Sequence, residues 1–107
     1  IAGYRGSSAL ALGRPEEAST ILEGALARTS ETLIGQRCAV LTDLAAAYGM
    51  QREVEHGAAL LAQSADTAER AGLGELLQRV HGARCALTPW QDAPAVRLLD
   101  ERLAAIV

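Results

Sequence analysis

The sequence predicts an all-α domain of antiparallel helix pairs, about six helices in all. Ala and Leu dominate its 107 residues, while β-branched Val40, Val54, Val80 and Val96 with a few Ile and Thr are thinly scattered. Apolar residues recur at i, i+3, i+4 and i+7 in six stretches joined by short links, which favours antiparallel neighbours. A pattern of small and large apolar residues also returns at Ala18, Gly57 and Ala95, 39 and then 38 residues apart.

The first helix is expected from Ala2 to Leu12, with Gly13 as its left-handed stop. The second opens at Pro15, with Glu16 and Glu17 at the positive end of the helix dipole, and buries Ala18, Ile21, Leu22, Ala25 and Leu26. Ser30 is the expected cap of the third, which presents Ile34, Cys38, Leu41, Ala45 and Tyr48 on one face and fades at Met50 to Gln51. The fourth runs from Glu53 to Ala71 with Val54, Gly57, Ala58, Leu61, Ala65 and Ala68 inward, and Gly72 stops it. The fifth, Gly74 to Leu87, places Leu76, Leu77, Val80, Ala83 and Leu87 on one side and ends at Thr88 and Pro89. Asp92 is the expected cap of the sixth, with Pro94 in its first turn and Val96, Leu99, Leu103 and Ile106 inward.

The residues Gly6, Ala9, Ala18, Leu22 and Ala25, and again Ala45, Tyr48, Gly57, Leu61 and Ser64, follow the tetratricopeptide pattern of small residues where two helices cross and large ones between. Ala83, Ala95 and Leu99 continue it in a weaker third unit. The chain therefore resembles the tetratricopeptide repeat family, with units of about 1–28, 31–71 and 73–107 in a single domain. The resemblance implies helix pairs stacked as a short right-handed superhelix. The repeat is longer than the family's usual 34 residues or so, which implies a variant array. A mid-helix glycine such as Gly57 costs about 0.5–1 kcal/mol against Ala, so contact at the crossing has to offset it.

Charge and composition exclude several classes. The chain has a net charge of −3, no apolar run of membrane-spanning length and no charged-then-apolar leader, so the cytoplasm is the expected compartment and no membrane the expected setting. All ten basic residues are Arg, with Lys, Asn and Phe absent, the skew of a GC-rich bacterial gene. The Arg residues are spread along an acidic chain without a basic stripe, which argues against direct nucleic-acid binding. The chain starts Ile1-Ala2-Gly3-Tyr4 without Met, which predicts a fragment of a longer protein.

Candidate chemistry is sparse. Gly3-x-x-Gly6 and Gly72-x-Gly74 fall at helix breaks or crossings rather than in a phosphate loop. His56 and His81 stand alone, and neither Cys38 nor Cys85 has a partner at metal-ligand spacing. Both cysteines are expected to be reduced and mostly buried. Cys38 or Cys85 with His81 is the one arrangement suggesting a thiol nucleophile, since Cys85 follows His81 by four residues on one helix, but it reads more simply as a core thiol beside a surface imidazole. Glu16 with Glu17, Glu53 with Glu55 and Asp100 with Glu101 are solvated pairs at helix ends or faces. No catalytic residue, cofactor or metal is therefore expected, and the chain reads as a non-enzyme.

What remains is a surface for another protein. The resemblance implies a groove lined by the first helix of each pair, through Gly3, Ser7, Leu10 and Ala11, then Ala39, Thr42, Ala46, Gly49 and Met50, then Leu77, Val80, Arg84, Leu87 and Thr88. Within it Ser7, Thr42, Ala46, Met50, Arg79 and Arg84 are the candidate interaction residues, either arginine able to grip a carboxylate. The family's Lys and Asn clamp for a peptide carboxylate has no counterpart here. Leu-Gly-Arg-Pro-Glu-Glu-Ala at 12–18, Glu69-Arg70-Ala71-Gly72 and Ala95 to Leu103 also resemble the C-terminal repeat regions of actinobacterial helix-turn-helix transcriptional regulators. That resemblance implies a sensing or dimerisation domain that binds a protein or peptide, with a homodimer among its forms. A scaffold unit without transcriptional role is the alternative. The Ala- and Leu-rich first helix is expected to pack against a preceding repeat or a partner subunit, and the last helix to cap the array.

Overall fold

A computed structural model of the chain describes Gly6, Ala9 and residues 11–106, and these are helical with short links. Among them run five α-helices: α1 Pro15–Arg28, α2 Ile34–Met50, α3 Val54–Ala71, α4 Gly74–Arg84 and α5 Pro94–Ala105, with a 3-10 helix Cys85–Trp90 between the last two. Gly6, Ala9 and Ala11 are helical as well. The rest of the expected first helix, with its outer-face contact, lies outside the described residues.

Three links close in the same way. Gly13, Arg52 and Gly72 take left-handed backbone with φ of +73°, +65° and +71°. In each case the next amide reaches back five residues, Arg14 to the Ala9 carbonyl at 2.9 Å, Glu53 to Tyr48 at 2.9 Å and Leu73 to Ala68 at 2.8 Å. This closure satisfies carbonyls that the helix end leaves without partners. Gly13 and Gly72 stop their helices as the sequence implies. Arg52 does the same without being glycine, and stands 39 residues after Gly13, the interval that separates Ala18 from Gly57.

The helix α2 is central. From Arg37 to Gly49 no residue is exposed, because the helix packs against α1, α3 and α4 together. On one side Ala45 joins Leu61, Val80, Leu87, Val96 and Leu99; on the other Val40, Leu44 and Ala47 join Ala18, Leu22 and Ala25. A helix apolar on two sides is a buried helix, so the single inward face read from sequence is corrected. Ile34, assigned to that face, is 41% exposed.

From α1 to α4 each helix packs on the next in the chain, and alternate ones pack as well, α2 on α4 and α3 on α5. The described residues form a slab of 33 × 29 × 18 Å, its short dimension close to that of two helix layers. Small residues let the layers meet. A Cβ on Gly57 would stand 3.1 Å from the Ala45 carbonyl oxygen and 3.5 Å from the Gly49 nitrogen. One on Gly6 would overlap Leu22, 2.6 Å away. Every inward residue expected on α3 is buried.

Several boundaries differ from expectation. Ser30 does not cap α2, which begins at Ile34 after Leu33; its hydroxyl instead meets Thr32 Oγ1 at 2.8 Å within the link. Asp92 makes no capping bond, and α5 starts from Ala93 with Pro94 leading. α4 ends at Arg84 rather than Leu87 because Pro89 lacks an N–H and its ring crowds the carbonyl four residues back, so the chain tightens to 3-10 turns. That tightening turns Leu87 fully inward and leaves Cys85 exposed. The expectation that both cysteines are buried holds for Cys38 alone.

Candidate functional site

The groove residues expected from sequence divide between core and surface. Ser7 lies outside the described residues. Thr42 is 2% exposed and holds the helix pair together: its hydroxyl donates to the Cys38 carbonyl at 2.7 Å and meets Ser64 Oγ at 2.8 Å, and Ser64 also reaches the Cys38 carbonyl at 3.1 Å. The hydroxyls bridge α2 to α3 inside the protein, which places Thr42 away from any open groove. Gly49, Val80 and Leu87 are likewise core, Leu87 Cδ2 standing 3.1 Å from where a Gly49 Cβ would be. Ala39 and Ala46 are half-buried on the outer stripe of α2, and Met50 is exposed at its end.

The two arginines are engaged within the chain. Arg79 on α4 donates to both carboxylate oxygens of Asp43 on α2, at 3.1 and 3.3 Å. Arg84 forks Asp100 on α5 through Nε at 2.7 Å and Nη2 at 2.8 Å, and adds Thr88 Oγ1 at 3.3 Å. These hydrogen bonds hold the Asp100 carboxyl below the usual carboxylate range, against the opposing effect of its partial burial. Arg102 on α5 forks Asp66 on α3, with Nε to Oδ1 at 3.0 Å. Asp43 with Arg79 and Asp66 with Arg102 are both 36 residues apart. Each pair ties a helix to the next but one, the same alternate packing seen in the core.

Ala39 and Arg79 do come together. With Gly35, Gln36, Leu76 and the Gly72-Leu73-Gly74 link they line an open cleft of about 540 Å³ between the starts of α2 and α4. Nothing lies within 4 Å of where Cβ atoms on Gly35 or Gly74 would be, so the glycines widen its mouth. Ala39 and Leu76 give it an apolar floor, and Gln36, Glu75 and Arg79 a polar rim. The sequence reading missed the part played by the 72–74 link, although two glycines around a leucine between helices mark a turn without bulk.

Other singled-out residues are accounted for by packing. Burial pushes the Cys38 thiol above its usual value, which disfavours the thiolate. Cys85 directs its thiol at the backbone carbonyl of His81, 4.0 Å away. His56 stacks on Tyr48 with ring centroids 4.1 Å apart, and burial, then the nearby Glu23, raise the Tyr48 phenol. Among the described residues no three His, Cys, Asp or Glu side chains gather to hold a metal, and no helix is long and apolar enough to cross a membrane. No family model matches the chain, and no curated protein or solved structure matches it.

Proposed function

We propose that the chain is a tetratricopeptide-like interaction domain of a bacterial transcriptional regulator, a cytoplasmic unit that works by docking rather than by catalysis. The observation that carries this reading is the packing of alternate helices, α2 on α4 and α3 on α5, over crossings of small residues such as Gly57. Helix pairs stacked in that way resemble a repeat array, whose first helices offer one continuous face. On that face the cleft between α2 and α4 has room for an apolar side chain, with the Gln36 amide and the Glu75 carboxylate at its edge. A peptide or helix seated there would bear on both units at once, and its binding would favour one relative setting of α2 and α4 in the protein that carries them.

Selection of peptides on the immobilised chain tests the docking step. The expected winners share one apolar anchor and lose binding when Ala39→Trp fills the cleft floor; winners indifferent to that change refute the assignment of the cleft. The coding sequence upstream of Ile1 tests the regulatory half. A helix-turn-helix segment there supports the regulator, and further repeats alone would favour the scaffold.

A further inference from the structure

The opposite layer of the slab carries a feature that the docking reading leaves unused. Between α3 and α5 lies a second open cleft, about 530 Å³, walled by Ala58, Ala59, Ala62 and Ala95, with Glu55, Glu101 and Arg102 also lining it. Leu98 stands at its edge with 65% of its surface exposed. Arg97 and Glu101 are exposed on the same helix, and neither makes an ion pair among the described residues. The neighbouring Leu99 is core, whereas Leu98 stands outside the inward stripe of Val96, Leu99, Leu103 and Ile106. A leucine on the charged face of the last helix is the signal that points elsewhere.

A protruding leucine beside an alanine-lined hollow, on one patch, is the form that a two-fold contact between identical surfaces requires. The charges select the same occupant. With 3.6 residues per turn, Arg97 and Glu101 lie about one turn apart on the same side of Leu98. When two such helices run antiparallel about an axis level with Leu99, residues before that level in one copy lie against residues equally far after it in the other. Each Arg97 then faces the partner's Glu101. A basic helix from another protein would satisfy Glu101 but leave Arg97 facing its own sign, whereas a second copy satisfies both. We propose that this face pairs with a second copy of the chain, Leu98 of each entering the alanine cleft of the other and Arg97 meeting the partner's Glu101.

Sedimentation equilibrium across a concentration series up to millimolar tests this. The wild-type chain is expected to show a monomer–dimer equilibrium, and Leu98→Asp to raise its dissociation constant at least about tenfold. Arg97→Glu and Glu101→Arg each weaken pairing, and the two together recover most of it because the charges are exchanged rather than removed. All three residues are exposed, and circular dichroism confirms that the variants keep their helices. A chain that stays monomeric, a dimer indifferent to Leu98→Asp, or a double exchange that fails to recover pairing overturns the proposal. Peptide docking between α2 and α4 uses the other layer, so either reading can fail while the other stands.

Discussion

Replacing Gly57 by Ala should destabilise the protein, although the same exchange elsewhere in a helix stabilises it. In a helix interior Ala is favoured over Gly by about 0.5–1 kcal/mol. At Gly57 the new Cβ would stand 3.1 Å from the Ala45 carbonyl oxygen and 3.5 Å from both the Gly49 nitrogen and Leu87 Cδ2, two of the three being backbone that cannot swing aside. Forcing a methyl into a packed contact costs about 1–3 kcal/mol, so Gly57→Ala should lose about 1 kcal/mol net. Gly82 in α4 has nothing within 4 Å of its Cβ position, and Gly82→Ala should gain the full 0.5–1 kcal/mol or so. Urea unfolding with a slope of about 1–3 kcal/mol/M turns a 1 kcal/mol change into a midpoint shift of about 0.3–1 M. The midpoints of the two variants should move in opposite directions at unchanged slope. A Gly57→Ala midpoint that rises as far as that of Gly82→Ala refutes the close crossing of α2 and α3.

Four further outcomes follow from the same geometry. Arg52→Gly should raise the urea midpoint by the equivalent of about 0.5–1 kcal/mol, because a side chain held at φ +65° carries strain that glycine lacks. Ser64→Ala should cost about 1 kcal/mol in the same assay, since it removes a buried hydroxyl bond while Thr42 keeps its own to Cys38. Asp100 has a folded-state pKa below its unfolded value, so its contribution is present above the unfolded value and is lost as pH falls through the folded one. Thermal unfolding between pH 7 and pH 2 should therefore show a smaller acid loss for Asp100→Asn than for wild type, a difference under about 1 kcal/mol because the carboxylate is partly solvated. Iodoacetamide should label Cys85 in the folded protein and Cys38 only as it unfolds, read by mass spectrometry at each residue.

The parts of the fold legible in the sequence are those where one periodic stripe decides burial. α3 presents a single face, and each of Val54, Gly57, Ala58, Leu61, Ala65 and Ala68 is buried. α1 follows suit through Ala18, Leu22 and Ala25. Gly6, Ala45 and Gly57, small residues expected where helices cross, lie inside as well. The central helix was less legible, because a sequence apolar on two sides has no single stripe to read. The local chemistry of caps misled at Ser30 and Asp92, whose side chains bond elsewhere or stay in solvent while α2 starts at Ile34 and α5 at Pro94. The groove register also claimed Val80 and Leu87, which the inward stripe of the fifth helix already held and which are core, while Arg84 turns to Asp100. Pairing across 36 residues, as between Asp43 and Arg79, needs the stacked helices themselves before the two charges can be seen to meet.

Docking at the α2–α4 cleft is tested most directly by titrating an isotope-labelled chain with a selected peptide and following its backbone amide spectrum. The shifts should concentrate on Gln36, Ala39, Leu76 and Arg79, which line one cleft although the chain separates them by about a helix pair, and should vanish in Ala39→Trp. Shifts that gather elsewhere, or that persist unchanged in Ala39→Trp, contradict it.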